Sequence, residues 1–233
     1  MTTRDVVRAS GPDAASYLQG QISQDVDALS AGETSWSFIL APSGKVDAWF
    51  RIHRVGDDEF LLDIDPGFAD ALIARLERFK LRTAVDFAIV DTEIPAPVTW
   101  PGVADVDDER ARIRGGVPRM GAELTPETIP GEVGQQVIDR SVSFTKGCYT
   151  GQELVARINS RGGNVPRPVR LLTATDGSAL AVGDAVFLDG EQVGEVTSAA
   201  GDSALAPLLR KAEVGSDVDV GTTRARVSEP GGS

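Results

Sequence analysis

Two neighbouring segments with alternating apolar side chains constrain the fold of this chain more than any other feature. Trp36, Phe38 and Leu40 occupy every second position, and a Pro-Ser-Gly-Lys turn follows at residues 42–45. Apolar residues then recur at every second position from 46 to 52. Since successive side chains of a strand point to opposite faces of a sheet, this pattern predicts a half-buried β-hairpin over residues 34–53.

The next segments extend the hairpin into a larger unit. Residues 60–64 predict a third strand, and residues 85–89 predict a fourth. Between these two strands, Asp65-Pro66 predicts the start of a helix. Its apolar residues at helical spacing are Phe68, Leu72, Leu76 and Phe79. The β-β-β-α-β order predicts an antiparallel sheet with helices on one face, which is an α+β architecture.

The segments around this unit give weaker signals. Ser10 to Asp13 predicts a helix start with Tyr17 and Leu18 facing inward, and the apolar spacing over 22–29 predicts another helical turn or two. Between residues 92 and 134 the periodicity fails and six prolines occur, which predicts loops and short strands.

The C-terminal part predicts a separate β structure. Asp189-Gly190 lies between two short apolar segments and predicts a hairpin turn, and residues 224–227 predict a closing strand. We therefore predict a small β-barrel over about residues 168–228. The predicted domains are 1–165, formed by two interwoven α+β lobes (34–90 and the remainder), and 166–233.

Charge and cysteine content exclude several classes of function. A net charge of −12 opposes direct nucleic-acid and anionic-membrane binding, and the apolar segments are too short to cross a membrane. The N-terminus lacks the apolar stretch of a secretory signal, and one cysteine permits no intramolecular disulfide, so we expect a cytoplasmic protein. With Cys148 and the single histidine, His53, we predict no metal site. His53 is interpreted as a strand residue, and a catalytic role is the less favoured alternative.

One window reverses the overall charge. Residues 140–170 contain six basic residues and Glu153 as the single acid, which gives a net charge of +5. Solvent-exposed arginines would explain this, and so would a basic pocket for a small anion. We favour the pocket because the octapeptide KGCYTGQE, residues 146–153, lies in the window.

The octapeptide itself predicts the start of a helix. Thr150 and Glu153 have capping-box spacing, and Tyr149 and Leu154 have the spacing of a hydrophobic staple, so the helix should run from Gly151 to residue 159 or 160. Cys148 would then precede a helix N-terminus, where unpaired N–H groups favour a thiolate. A buried structural cysteine and purely conformational glycines remain the alternative interpretation.

The octapeptide, followed by Arg157 and Arg161-Gly162, resembles the signature of the YgfZ family of folate-binding proteins. That family supports iron–sulfur proteins and is similar to the T-protein of the glycine cleavage system, an aminomethyltransferase. Weaker matches lie in the same order at residues 11–14, 18–25 and 44–45. The resemblance extends from Gly11 to about Arg210, and this chain is short for the family over residues 91–130.

The resemblance implies a three-lobed, T-protein-like ring that binds tetrahydrofolate or a derivative. Lys146 and Cys148 become the candidate catalytic residues, and the candidate folate-binding residues are Asp25, Tyr149, Gln152, Glu153, Arg157 and Arg161. Glu153 would accept hydrogen bonds from the pterin, and Arg157 or Arg161 would meet the glutamate tail.

Three functions follow from the resemblance and stay open at this point. The first is an accessory protein that assembles or repairs iron–sulfur client proteins, including tRNA-modifying enzymes. The second is a folate-dependent, aminomethyl-type one-carbon transferase, for which Asp25 and Cys148 are the candidate reactive groups. The third is a binding module in which the folate is structural.

Overall fold

The computed structural model describes residues 4–231 and divides the chain into two compact units. The first unit comprises Met1–Pro97, Leu124–Pro130 and Gln136–Ser160. The second unit comprises Val98–Glu123, Gly131–Gln135 and Arg161–Ser233. The domain boundary at 165/166 stays a prediction.

A five-stranded antiparallel sheet forms the centre of the first unit. Its order is β2-β3-β4-β1-β5, and the strands are β1 (Asp5–Ser10), β2 (Thr34–Leu40), β3 (Val46–Arg54), β4 (Glu59–Ile64) and β5 (Asp86–Ile89). The predicted hairpin is confirmed as β2 paired with β3, in which Phe38 lies opposite Trp49. Alternation along β3 places Phe50 and Ile52 on one face and Trp49, Arg51 and His53 on the other.

Strand β1 was not predicted, although it lies between β4 and β5 in the sheet. Val7 pairs with Leu62 on one side and with Ile89 on the other. Its six residues include only two bulky apolar side chains, Val6 and Val7, so the local pattern is too short to predict a strand.

Within residues 4–231, the helices of the first unit are α1 (Ala14–Gln21), α2 (Ala69–Arg78), α4 (Gln135–Ser141, whose first residue falls in the second unit) and α5 (Gln152–Ser160). Tyr17 and Leu18 of α1 are buried, as predicted. The predicted helical turns over residues 22–29 are wrong, because Ile22 adopts an extended conformation that ends α1. The segment that follows Ile22 is then held by long-range hydrogen bonds rather than by helical ones.

The second unit contains α3 (Glu109–Gly115) and a seven-stranded antiparallel sheet of order β8-β7-β11-β12-β6-β10-β9. Its strands are β6 (Val169–Ala174), β7 (Ala185–Leu188), β8 (Glu191–Glu195), β9 (Ser198–Ala200), β10 (Ser203–Pro207), β11 (Asp217–Val220) and β12 (Thr223–Ser228). A bridge between Gly194 of β8 and Leu208, just after β10, curls the sheet.

The sheet of the second unit encloses an apolar core that contains Leu172, Val186 and Val227. The predicted turn between β7 and β8 is confirmed, since Asp189 and Gly190 have φ angles of 52° and 80°. The α+β class with additional C-terminal β structure is therefore confirmed. The prediction of loops and short strands over residues 92–134 is wrong for Glu109–Gly115, because these residues form α3.

Helix α3 depends on a buried arginine. Arg112 is 1 % exposed and donates hydrogen bonds to Glu109, to Glu123 and to the backbone carbonyl of Val117. These acceptors offset the unfavourable free energy of removing the Arg112 guanidinium from water.

Candidate functional site

The octapeptide forms the connection between α4 and α5 and the first two residues of α5. Gly147 and Cys148 are exposed, whereas Tyr149 is buried. Burial raises the pKa of Tyr149 to about 12, so its phenol stays protonated at neutral pH. The loop therefore presents its thiol to solvent and directs its aromatic ring inward.

The predicted capping box at Thr150 is wrong. Helix α5 begins at Gln152, and Gly151 before it has a φ of +81°, a left-handed conformation that cannot belong to the helix. The backbone N–H of Thr150 instead donates to the carbonyl of Gly20, and the side-chain oxygen of Gln152 accepts from the N–H of Tyr149. Glu153 is therefore the second residue of the helix and not its capping partner.

Two glycines allow α5 to pack against the β2–β3 turn. An added Cβ on Gly151 would lie 2.5 Å from the carbonyl oxygen of Ala41 and 2.6 Å from the Cβ of Leu40. An added Cβ on Gly44 would lie 2.5 Å from the Cβ of Leu154. Because real Cβ atoms do not approach other atoms this closely, both positions require glycine for the observed packing.

Lys146 is directed into the first unit rather than toward solvent. Its ammonium donates three hydrogen bonds to backbone carbonyls, at 2.8 Å to Gln19, 2.9 Å to Ile22 and 2.7 Å to Gln24. The ammonium also lies 5.2 Å from the centre of the Tyr149 ring. Burial lowers the pKa of Lys146 to about 8 against the opposing effect of nearby aspartates, so the amine is mostly protonated at neutral pH.

Further hydrogen bonds join the same two segments. The N–H of Ser143 donates to the carbonyl of Ser23 at 2.9 Å, and the side-chain amide of Gln24 donates to the carbonyl of Arg140 at 3.0 Å. Asp25, at the end of this segment, is half-buried and accepts a 2.9 Å hydrogen bond from the side chain of Gln19. The structure thus brings Asp25 and Lys146 together.

The predicted ligand residues of α5 lie on its exposed surface. Glu153 and Arg157 are both exposed and are four residues apart, so they share one face of the helix. Within residues 4–231, neither side chain forms a hydrogen bond or an ion pair. Gln152 is half-buried, and Val155 of the opposite helix face is buried in the first unit.

Arg161 lies beyond the end of α5, in the second unit, and is exposed. Its role toward the glutamate tail stays a prediction.

The exposed charged groups of α5 could contact a folate. A carboxylate and a guanidinium without protein partners match the donor groups of a pterin and the carboxylates of a glutamate tail. No group of three His, Cys, Asp or Glu residues within 4–231 could hold a metal ion. In the same range, no helix has the length and hydrophobicity required to cross a membrane.

Comparison with solved structures shows the fold. The glycine cleavage system aminomethyltransferase T from Bartonella henselae matches with a TM-score of 0.78 and 16 % identity, over 98 % of this chain and 83 % of that protein. At this identity the match shows a T-protein-like fold and nothing about activity. No family model matches the chain.

Curated relatives carry two family names. A tRNA-modifying protein YgfZ from Vibrio vulnificus is 26 % identical over 226 residues, which cover 75 % of this chain. An iron-sulfur cluster assembly factor IBA57 homolog from Mycosarcoma maydis is 29 % identical over 212 residues, or 68 % of this chain. An uncharacterised protein from Haemophilus influenzae is 28 % identical over 193 residues, or 70 % of this chain. The chain is similar to proteins of the YgfZ family.

The matches span different shares of these relatives. The match spans 69 % of the Haemophilus and Vibrio proteins but 53 % of the Mycosarcoma protein. The predicted resemblance to the YgfZ family and the T-protein is thereby confirmed.

The sequence analysis did not identify the partners of Lys146. The three groups that bind the ammonium are main-chain carbonyls of Gln19, Ile22 and Gln24, and a carbonyl has no residue-specific signal. The available signal was the order of the motifs, because residues 18–25 and 146–153 both match the family.

Proposed function

We propose that this protein binds a reduced folate and supports the assembly or repair of iron–sulfur proteins, including tRNA-modifying enzymes. The observation that carries the proposal is the octapeptide surface, on which the exposed Cys148 precedes a helix face with unpartnered Glu153 and Arg157. The names of the YgfZ and IBA57 relatives support the iron–sulfur and tRNA-modification parts of the proposal.

The residues of the first unit would hold the folate through complementary charge. Glu153 would accept hydrogen bonds from the pterin N–H groups, and Arg157 would bind a carboxylate of the glutamate tail. Tyr149, Gln152 and Asp25 would complete the binding site. A reduced folate would supply a carrier for one-carbon groups.

Cys148 would act at the client protein. An exposed thiol can react as a nucleophile or ligate iron once it is deprotonated, whereas a buried thiol can do neither without unfolding. The single cysteine gives one protomer one thiolate, so any cluster bound there would be shared with the client. We place this role in the cytoplasm, where an unpaired cysteine stays reduced.

A one-carbon transferase is not proposed, because the likeness to aminomethyltransferase T at 16 % identity extends to the fold alone. Turnover of an aminomethyl donor in the presence of tetrahydrofolate would be the evidence for that activity.

The experiment is complementation of a bacterial strain that lacks its own YgfZ-family gene. We expect the wild-type chain to restore the activity of a [4Fe–4S] enzyme and the level of an iron–sulfur-dependent tRNA modification, and Cys148→Ser to restore neither. Glu93→Gln is the matched control, since Glu93 is an exposed carboxylate of the first unit outside the octapeptide. Failure of the wild-type chain to restore either readout at normal expression would contradict the proposed function.

A further inference from the structure

The carbonyls that bind Lys146 lie at and after the end of α1. The last carbonyls of a helix lack partners within the helix, and a cation near them is favourable. The last turn of α1, within Ala14–Gln21, contains no basic residue of its own. Lys146 supplies that cation from 127 residues further along the chain through its bond to Gln19.

The three hydrogen bonds of Lys146 leave its nitrogen without a free lone pair for catalysis. A protonated lysine has three N–H groups, and here each has one carbonyl acceptor at 2.7–2.9 Å. A general base or nucleophile requires a free lone pair on nitrogen, which an ammonium bound in this way lacks. The same three bonds explain why a lysine suits this position: the planar guanidinium of arginine does not direct three donors at one converging set of acceptors.

We infer that Lys146 is a positioning residue that fixes the segment from Gln19 to Asp25 against the octapeptide, and so sets where Asp25 lies relative to Cys148. Asp25 directly follows Gln24, whose carbonyl receives the shortest of the three bonds. Cys148 lies two residues after Lys146 on the other side of the contact. The inference rests on the proposed function for its biological meaning, although the contact itself does not depend on it.

Hydrogen exchange measured by NMR tests the inference without any folate. Lys146→Met keeps the length of the side chain and removes its donors, and we expect the amides of Ile22, Val26 and Thr150 to exchange at least about tenfold faster. Core amides of β3 should keep their protection. Lys80→Met is the matched control, because the Lys80 ammonium forms ion pairs with Glu77 and Asp86 and lies 5.9 Å from the centre of the Phe87 ring, away from the octapeptide contact.

Chemical rescue separates positioning from a general loss of structure. In Lys146→Ala, n-propylammonium can occupy the space of the missing atoms and donate to the same three carbonyls. We expect it to restore the protection of these amides and the folate affinity, while sodium chloride at equal ionic strength should restore neither. Unchanged exchange in Lys146→Met, or equal rescue by sodium, would overturn the inference.

The unmutated protein gives a second measurement if Lys146→Met does not fold. The ammonium protons of Lys146 should exchange with water at least about tenfold more slowly than those of Lys80, since three acceptors protect them. Equal rates would overturn the inference. Absence of folate binding by the wild-type protein would reject the proposed function and leave these exchange results unaffected, so the two failures are distinguishable.

Discussion

The Nζ atom of Lys146 lies 2.7 Å from the carbonyl oxygen of Gln24, although 122 residues separate them in the chain. This hydrogen bond joins two segments of the first unit, residues 18–25 and 146–153, whose motifs resemble those of the YgfZ family. Neither segment pairs with the other as a strand. The contact is held by the side-chain bonds of Lys146 and by a backbone bond from the N–H of Thr150 to the carbonyl of Gly20. The candidate site therefore depends on a long-range contact that forms only in the folded chain.

Gly151→Ala should destabilise the protein by about 2–4 kcal/mol, because it adds strain at a positive φ to a clash with Ala41 and Leu40. Urea unfolding measures this change. Gly147→Ala is the matched control in the same octapeptide, since its added Cβ meets nothing within 4 Å. Equal unfolding free energies for the two variants would show that the α5 packing described above is incorrect.

The sequence predicts those parts of the fold that are determined by a few neighbouring residues. The β2–β3 hairpin follows from alternation, and the β7–β8 turn follows from Asp189-Gly190, whose preferred backbone conformation matches the twist of a hairpin. For both elements the local sequence is sufficient to predict the structure.

The missed elements depend on tertiary contacts. Strand β1 is stabilised by pairing on both sides, and α3 by the bonds of Arg112 to Glu123 and Val117. The sequence does not distinguish a solvent-exposed arginine from one buried in such a network. The pattern over residues 92–134 therefore predicts loops and short strands where α3 lies.

The candidate site was located by its motif but not by its geometry. The spacing of Thr150 and Glu153 fits a capping box, yet the left-handed conformation of Gly151 shifts the helix start to Gln152. Sequence indicates that a glycine can adopt such a conformation and does not indicate that it will.

Cys148→Ser should leave the unfolding free energy within about 0.5 kcal/mol of wild type, because the side chain is exposed. The native wild-type protein should incorporate one iodoacetamide label per chain, and the variant none. Mass spectrometry after labelling checks both expectations. Labelling of the wild type that requires denaturant would place the thiol in the interior and contradict its proposed role.

Acidification should destabilise the protein partly through His53, which is 5 % exposed and hydrogen-bonded to Thr34. Burial, with the charge of Arg51, lowers the pKa of His53 below 6.5 in the folded state. As the pH falls through 6.5, the unfolded chain therefore binds a proton that the folded chain resists, and the unfolding free energy falls.

The variant His53→Asn isolates this contribution, because the chain has no other histidine and the carboxylates titrate in both proteins. Urea unfolding at about pH 7.5 and about pH 5.5 should show a smaller loss of stability for the variant than for wild type. An equal decrease in unfolding free energy in the two proteins would contradict this prediction. It would mean that His53 binds a proton as readily in the folded protein as in the unfolded chain.

Calorimetric titration with 5-formyltetrahydrofolate tests the central claim, folate binding at the octapeptide surface, most directly. We predict one site in the wild type and an affinity at least about tenfold lower for Glu153→Gln, because a charge-assisted hydrogen bond to the pterin is lost. Glu93→Gln should bind like wild type. Absence of binding heat with any reduced folate, or equal affinity for Glu153→Gln and wild type, would contradict the account.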